Sequence, residues 1–529
     1  NNVGYTKNWE VTVQTRVGLE QKLDIITKGL SWKGAVSFDS FTQGRIDRAK
    51  EAQSFFAEGR DADGKLILKQ IKAGSALANP TSSASSGEKK IYLETSLNYD
   101  RLFAEKHAVT GLILYNQKES QYQRRDNGIE MLPYRKQSVV ARGTYGFDNR
   151  YYLEASFGMT GSENFAKGHR WGFFPAVGAA WTVSQESFMK SAENTLSKLR
   201  FRVSYGRTGN DQLSNDLSRF PYREKVNEGA SGYPLGITQG SGGGGTNNPG
   251  NGIVESDYAT PLLKWEIEDK FNLGMDLGLL RGKVDLGIDY FRNNRHAILM
   301  RRNTIPSAAG LRVSPMQNFG KTENQGIDAS LVVRHEIGNV SLAARGNITY
   351  TKNKVIEYDE IPQVYKYQQY TGNSIGQPLL YIAEGLYTPD DFIITTDPHS
   401  KKQTYKLKED LPVPGAIVSP GDIKYRDLNG DGVIDTYDRT YDNGFYPSSS
   451  PGIVYGFGLN AEWKGFNVGV FFQGVTNVSA NLLNKVENFV PFVRGVEYQS
   501  VRTEGLNRWR SEDPYNQDVI YPRLHSTSF

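Results

Sequence analysis

The sequence predicts an all-β fold, a large antiparallel β-barrel that crosses a membrane. Apolar residues alternate with polar or small residues over stretches of ten or more positions, which is the pattern of a transmembrane strand. Aromatic residues lie near the ends of several of these stretches, as they do at the two interfaces of membrane barrels. Connections of two or three residues alternate with connections of tens of residues, which is the rim asymmetry typical of outer-membrane barrels.

The composition of the 529-residue chain agrees with this class. It contains 30 Tyr and 25 Phe beside 55 Gly, a profile typical of β-rich and turn-rich proteins. No run of apolar residues is long enough for a transmembrane helix, which needs about 18 or more. A mean hydropathy of −0.53 is compatible with transmembrane strands, because only every second residue of such a strand is apolar.

Charge and cysteine content exclude several kinds of site. The absence of cysteine excludes disulfides, zinc-thiolate centres and a cysteine nucleophile. The 62 basic and 58 acidic residues are mixed along the chain, so no basic tract predicts nucleic-acid binding. The six histidines are widely spaced and form no HxH or HxxxH pair, so we expect them to be structural or solvated.

The clearest predicted hairpin lies between residues 271 and 290. Apolar residues alternate from Phe271 to Leu279, the turn Arg281-Gly282 follows, and the alternation resumes from Val284 to Tyr290. A soluble β-sandwich would also alternate. Strands of ten or more residues favour the membrane barrel, because soluble strands usually have five or six. The same pattern occurs at 327–344 around Gly338-Asn339, at 455–472 around Lys464-Gly465, and in the single strands Trp9–Leu19 and Leu199–Tyr205.

The long connections are predicted to be extracellular loops of one partial transmembrane barrel that covers residues 1–529. They lie at about 44–90, 206–260, 355–450 and 476–520. The first is predicted to hold a short helix around residues 46–56. The glycine-rich stretch 241–246 in the second lacks the GKS or GKT ending of a phosphate-binding loop, so we interpret it as a flexible connection.

A calcium-type loop, DLNGDGVIDTYD, lies in the longest connection at Asp427–Asp438. Its oxygen-bearing residues have the spacing of an EF-hand loop, and Gly432 occupies the sharp turn. The flanking segments are not helical, so an EF-hand itself is not expected. The predicted ligands of one structural Ca²⁺ are the side chains of Asp427, Asn429, Asp431, Asp435 and Asp438 and the main-chain carbonyl of Val433.

Two alternatives to this calcium site stay open. Asp438 is shorter than the usual final Glu, which leaves Mg²⁺ or weaker Ca²⁺ binding as one alternative. A loop built from Asx-turns that holds no ion is the other.

Several longer motifs occur together and in a fixed order along nearly the whole chain. They are RWGFFP at 170–175 with Trp181, SYGRTGN at 204–210, LKWE at 263–266, QGID at 325–328, GDIKYRDLNGDG at 421–432, GFGL at 456–459 and YPRL at 521–524. On these motifs the chain resembles the SusC/RagA family of TonB-dependent outer-membrane transporters.

The resemblance implies a location in the outer membrane and a plugged barrel of 22 strands in the whole protein. Roughly 13–15 of these strands are expected in this chain. The chain is therefore expected to be an internal portion of a longer polypeptide. The signal peptide, N-terminal extension, TonB box, plug and final strands are expected to lie outside it.

The resemblance also implies TonB-dependent active import of a nutrient oligomer, a glycan or an oligopeptide. The implied partners are a SusD-like surface lipoprotein, TonB (through regions outside this chain) and outer-membrane lipid, in an assembly of two transporters and two lipoproteins (SusC2D2-type). No residue is expected to perform covalent chemistry, so an enzyme is not predicted. The alternatives are a passive porin or receptor barrel and a calcium-dependent glycan-binding surface protein. The sequence leaves the substrate-binding residues unassigned.

Overall fold

The computed structural model describes residues 4–122, 129, 131–213, 219–231, 251–481 and 503–524. Within them the strands are β1 (Gly4–Lys22), β2 (Leu30–Ala49), β3 (Ser54–Arg60), β4 (Leu66–Lys72), β5 (Thr81–Phe103), β6 (His107–Tyr122), β7 (Tyr134–Phe147), β8 (Tyr151–Ser162), β9 (Trp171–Thr182), β10 (Leu196–Asn210), β11 (Lys225–Ser231), β12 (Asn251–Asp257), β13 (Glu266–Leu279), β14 (Val284–Arg301), β15 (Met316–Ile337), β16 (Val340–Glu357), β17 (Ala383–Leu386), β18 (Phe392–Thr396), β19 (Gln403–Leu407), β20 (Val413–Pro414), β21 (Ile423–Tyr425), β22 (Val433–Ile434), β23 (Ile453–Trp463) and β24 (Phe466–Thr476).

Fourteen of these strands form one antiparallel sheet in the order β1-β2-β5-β6-β7-β8-β9-β10-β13-β14-β15-β16-β23-β24. Sheet neighbours follow one another along the chain, so the sheet is a meander, as expected for the wall of a membrane barrel. The number of strands agrees with the predicted 13–15. The remaining strands form five two-stranded sheets within the long connections.

The helices are short 3₁₀ turns at Val183–Gln185, Ser187–Ala192, Ser307–Ala309, Lys366–Gln368, Pro389–Asp391, Thr436–Asp438 and Thr503–Leu506. No helix in the described part of the chain has the length and apolar character needed to cross a membrane.

The predicted hairpins are confirmed. β13 pairs with β14, β15 with β16 and β23 with β24, each around the predicted turn. In the β13–β14 turn both Arg281 and Gly282 have positive φ, at 57° and 81°. Such turns follow the right-handed twist of the strands they join, and glycine adopts this backbone without strain. We call the edge of the sheet that carries these tight turns the short-turn rim and the opposite edge the long-loop rim.

Strand register assigns the side chains to two faces. Leu277 pairs with Leu286, which pairs with Leu331, so one apolar row crosses three strands. We call this the outer face. The adjacent row contains Asp276 and Ser330, and it belongs to the opposite, polar face, which we call the inner face. The alternation predicted from the sequence is therefore continuous across neighbouring strands.

The strands continue beyond the apolar part of the outer face toward the long-loop rim. Above Tyr205 and Phe271, the next outer-face residues are Arg207 and Asp269, whose side chains form an ion pair of 2.8 Å. Arg292 of β14 and Glu323 of β15 form a similar pair at the same level. The outer face thus changes from apolar to charged within continuous strands.

These extensions shorten the first connection to residues 50–80. The second and third connections keep nearly their predicted lengths but are shifted to 211–265 and 358–452, and a fourth begins at 477. The predicted helix at 46–56 is wrong, because β2 runs to Ala49 and β3 begins at Ser54. The reason is physical: backbone pairing continues outside the lipid, where alternation of apolar residues is not required. The glycine-rich stretch 241–246 and residues 482–502 of the fourth predicted loop lie outside the described residues.

Candidate functional site

The inner face carries ion pairs that link neighbouring strands. Arg202 of β10 donates hydrogen bonds to Asp276 of β13 at 3.1 Å and to Asp289 of β14 at 3.0 Å. Gly274 lies beside this network, and a Cβ there would be 2.8 Å from the Arg202 guanidinium and 2.4 Å from the Asp289 carboxylate. A larger residue at this position would therefore displace the side chains of the pair.

Similar contacts occur elsewhere on the inner face. Arg142 of β7 makes two hydrogen bonds with Glu154 of β8, at 2.9 and 2.7 Å. Asp328 of β15 is exposed on this face and has no hydrogen-bond or ion-pair partner among the described residues. The inner face therefore offers charged and hydrogen-bonding groups to a polar solute, whereas the outer face offers side chains that lipid can solvate.

The connection between β16 and β23, residues 358–452, packs against the inner face at the long-loop rim. Asn353 and Val355 belong to the inner-face set of β16. The Asn353 side chain accepts a hydrogen bond from the amide of Ile375 at 2.7 Å, and Val355 is only 3% exposed. Residues 372–375 of this connection thus lie over the inner face at the long-loop rim.

Residues 503–524 pack on the same connection. The guanidinium of Arg523 donates two hydrogen bonds, of 3.0 and 2.9 Å, to the carboxylate of Asp422. The side chain of Gln517 bonds both the amide and the carbonyl of Leu386. We call residues 358–452 and 503–524 together the loop layer.

Asp359 of the loop layer forms hydrogen bonds and an ion pair with the connection between β14 and β15. Its carboxylate accepts hydrogen bonds from the amides of Asn303 and Thr304 and from the Thr304 hydroxyl, and Arg302 Nε lies 3.1 Å away. Burial raises the pKa of the Asp359 carboxyl, but the hydrogen bonds from these neighbours outweigh burial. The pKa of Asp359 is therefore below its ordinary value.

Acid is expected to release this contact only at low pH. Because the pKa of Asp359 is lower in the folded protein than in the unfolded chain, its stabilisation is complete above the unfolded value of about 3.9 and is lost as the pH falls through the folded value. Near-UV circular dichroism of the tyrosine-rich loop layer should stay constant down to about pH 4 and then decrease. Asp359→Asn should show the reduced signal already at neutral pH, and an identical titration of both proteins would contradict this role.

The calcium-type loop is compact. The carboxylate of Asp427 accepts hydrogen bonds from the amides of Gly430 and Gly432, at 2.7 and 2.8 Å. Asp438 is fully buried, and its two oxygens accept from the amides of Leu428 and Asp435, at 2.8 and 2.9 Å. Asp438 thus closes the loop by joining its two ends.

The other predicted ligands make Asx-turn contacts. Asp431 accepts from the amide of Val433 and from the side chain of Asn429, both at 2.9 Å, and Asp435 accepts from the amide of Tyr437 at 2.7 Å. Within the described part of the chain, no three His, Cys, Asp or Glu side chains are arranged to hold a metal ion. The predicted residues are brought into one loop, and their oxygens face the loop's own amides. Ca²⁺ binding here stays a prediction.

The sequence analysis did not identify the inner-face ion pairs or the contacts of Asp359. The pairs of Arg202 could have been inferred, because its position alternates with the apolar residues of β10 and opposite charges occupy the matching face of β13 and β14. The Asp359 contact joins segments that are 55 residues apart, and no local pattern indicates it.

Comparison with known proteins gives a consistent assignment. Residues 1–478 match the family model described as "TonB dependent receptor-like, beta-barrel". TonB-dependent receptor P3 of Formosa agariphila is 27% identical over 399 residues, which cover 73% of this chain and 35% of that protein. TonB-dependent receptor SusC of Bacteroides thetaiotaomicron is 32% identical over 220 residues, which cover 41% of this chain and 20% of that protein.

The fold is also found in a solved structure. The structure of the RagAB peptide transporter matches with a TM-score of 0.61 and 19% sequence identity, covering 98% of this chain and 53% of that one. At this identity the likeness concerns the fold alone. The chain thus spans about half of that neighbour and about a third of the P3 receptor.

Proposed function

The chain belongs to the TonB-dependent receptor-like β-barrel family, and from this premise we propose that it forms the barrel wall of an active importer of nutrient oligomers. The family consists of outer-membrane transport receptors, not enzymes. The observation that carries the proposal is the family match over residues 1–478. The polar inner face supports it, because the Arg202 network and the unpaired Asp328 would line the path of a hydrophilic substrate.

Energy coupling distinguishes this proposal from a passive porin or receptor barrel. We expect uptake by cells that carry the whole protein to stop when the proton-motive force is dissipated or the TonB gene is deleted. Uptake that persists under both conditions would favour the passive barrel. A strain that expresses an unrelated porin provides the control, since its uptake should not respond to either treatment.

The proposed partner at the long-loop rim is a SusD-like surface lipoprotein. Support comes from the similarity to SusC and to the RagAB structure, and from the loop layer, which offers a packed surface at this rim. The assembly would contain two copies of each protein. Purification of the whole protein in mild detergent should yield the lipoprotein in equal amount, and its repeated absence would count against the partner. Either a glycan or an oligopeptide is compatible with this arrangement.

A structural Ca²⁺ at Asp427–Asp438 is a second proposal, and it rests on the ligand spacing. Asp427 and Gly432 already form the turn that such a loop needs, whereas Asp431, Asn429 and Asp435 would have to turn inward. Ion binding would hold the loop layer in its ordered state. The chemistry of the donor set, hard oxygens only, suits Ca²⁺ or Mg²⁺.

Two substitutions distinguish the contribution of a bound ion to the stability of the loop from the contribution of the loop's own hydrogen bonds. Trypsin should cut the loop layer of the wild-type protein more slowly in calcium than in a chelator. Asp431→Ala should abolish this difference and leave the rate in chelator nearly unchanged, because Asp431 is exposed. Asp438→Ala should be cut rapidly in both conditions, since it loses the buried carboxylate that accepts hydrogen bonds from the amides of Leu428 and Asp435. Equal digestion of the wild-type protein with calcium, magnesium and chelator would show that the loop holds no ion.

A further inference from the structure

The loop layer contains a cavity of about 660 Å³, open to solvent, beside the calcium-type loop. It is formed by residues 358–379, which follow β16, and residues 436–441, which overlap the end of the calcium-type loop. The volume falls within the range of small-molecule sites in proteins, about 300–1,000 Å³. Because residues 372–375 pack on Val355 and Asn353 of the inner face, the cavity lies at the rim of the polar wall.

The lining is unusually rich in tyrosine. Tyr358, Tyr370 and Tyr441 form a chain of ring contacts, with centroid distances of 5.1 and 5.4 Å. Tyr437 lines the same cavity and keeps 44% of its surface exposed. Burial raises the pKa of the Tyr441 phenol, with smaller contributions from Tyr370 and Glu360, so its hydroxyl stays neutral. The cavity thus presents flat aromatic surfaces together with hydroxyl groups.

The polar side chains of the lining retain free hydrogen-bonding capacity. Gln368 and Gln377 donate through their amide nitrogens to main-chain carbonyls, which leaves their amide oxygens as acceptors. Arg439 stacks on the Tyr381 ring at 4.9 Å and has no hydrogen bond or ion pair with any other described residue. Its guanidinium, a rigid set of donors, is available to a ligand.

The charges of the lining favour a neutral ligand. Among the described residues that line it, Arg439 is the one with a positive charge and Glu360 is the one with a negative charge. The two oxygens of Glu360 accept hydrogen bonds from the amides of Tyr370 and Thr371, both at 2.8 Å, so its charge is compensated within the protein. A strongly charged ligand would leave an unmatched charge in the cavity, whereas a neutral ligand would not.

We propose that this cavity is a binding subsite for a neutral saccharide unit, held by stacking on tyrosine rings and by hydrogen bonds that its hydroxyls accept from Arg439 and donate to the amide oxygens of the glutamines. A pyranose or furanose ring has an apolar C–H face for the tyrosine rings, and its hydroxyls both donate and accept. A peptide bound as an added strand fits less well, because that mode uses a free strand edge and pockets for alternate side chains. In the part of the chain that the structure describes, Leu379 is the only aliphatic residue of the lining. The inference deepens the proposed import function and rests on it for its biological role.

The test is calorimetric titration of the purified whole protein with four neutral hexasaccharides (maltohexaose, cellohexaose, xylohexaose and mannohexaose) and with a mixed pool of hexapeptides. At least one hexasaccharide should bind with a millimolar or tighter Kd, and the peptides should bind at least about tenfold more weakly. Tyr437→Ala should weaken saccharide binding about five- to tenfold, as expected for the loss of one stacking ring. Tyr437→Phe, which keeps the ring, should bind like the wild-type protein.

Control variants separate binding from folding. Tyr446→Ala removes a tyrosine of similar exposure, 47%, that does not line the cavity, and it should have no effect. Arg439→Gln should weaken binding about tenfold, whereas Arg426→Gln, which breaks the pair with Glu384 outside the cavity, should not. Binding to none of the hexasaccharides, tighter binding of the peptides, or equal effects of Tyr437→Ala and Tyr446→Ala would overturn the proposal.

The result of the saccharide-binding test can be distinguished from the result of the test of TonB-dependent import. Loss of saccharide binding with uptake still dependent on TonB would reject the subsite alone. Saccharide binding with uptake independent of TonB would reject energy-coupled import and leave the subsite in place.

Discussion

Leu331→Arg is expected to destabilise the folded barrel in a bilayer by about 2–4 kcal/mol. Leu331 lies in the apolar row of the outer face, where it pairs with Leu286 of β14 and with Gly346 of β16. An arginine at this depth places its charge in hydrocarbon, and it has no water-filled space to enter. Urea-induced unfolding in liposomes, followed by the loss of heat-modifiable migration on gels, measures the change.

Ser330→Arg provides the matched control on the neighbouring residue of the same strand. Ser330 belongs to the inner face and is exposed there, so its arginine should cost about 1 kcal/mol or less. Asp285 is a poorer control, because it pairs with Arg334 and an arginine there would oppose a like charge. Equal destabilisation by Leu331→Arg and Ser330→Arg would contradict the assignment of the faces.

Arg219→Met is expected to cost about 3 kcal/mol of local stability at the long-loop rim. The Arg219 side chain is 2% exposed, and its guanidinium lies 3.8 Å from the ring centre of Tyr134. It donates hydrogen bonds to the carbonyls of Leu132 and Pro133 and to the carboxylate of Glu163. Methionine fills much of the same volume but leaves these acceptors without their donor.

Hydrogen–deuterium exchange of segments 131–134 and 219–222 measures this loss. Exchange should accelerate on the order of a hundredfold in both segments, which is about 3 kcal/mol, while the strands stay protected. Arg223→Met is the control, because Arg223 is exposed and its guanidinium lies 5.9 Å from the Phe220 ring, with no side-chain hydrogen bond or ion pair to any other described residue. An unchanged exchange rate in Arg219→Met would mean that Arg219 does not hold these segments together.

The sequence predicts the transmembrane part of the strands well and their outer parts poorly. Leu277 and Leu286 alternate with polar neighbours because lipid contacts every second residue, and this period is visible in any short stretch. Beyond Tyr290 both faces contact water, so Arg292 and Asn294 carry no such pattern although the strand continues to Arg301. Pairing with β15 maintains the strand there, and pairing is not visible in one segment alone.

The candidate sites also differ in how far the sequence predicts them. The calcium-type loop is a local motif, and the structure brings its predicted residues together within one loop. The role of Asp438 as a buried clamp was not predicted, because burial depends on the surrounding loop layer. The tyrosine cavity joins residues near 360 to residues near 440, and only tertiary packing brings Tyr370 and Tyr441 into contact.

The length of the strands has a consequence for how this surface diverges. In β15 the apolar outer-face positions lie between Ile327 and Ile337, so about half of the strand, from Met316 to Gly326, rises above the lipid. At about 3.3 Å per residue and a tilt near 40°, this part of the wall projects roughly 25 Å from the bilayer. Substitutions there leave membrane insertion untouched, since both faces contact water. The half of β15 in the bilayer must therefore keep apolar side chains on its outer face, whereas the projecting half accepts polar and charged ones there.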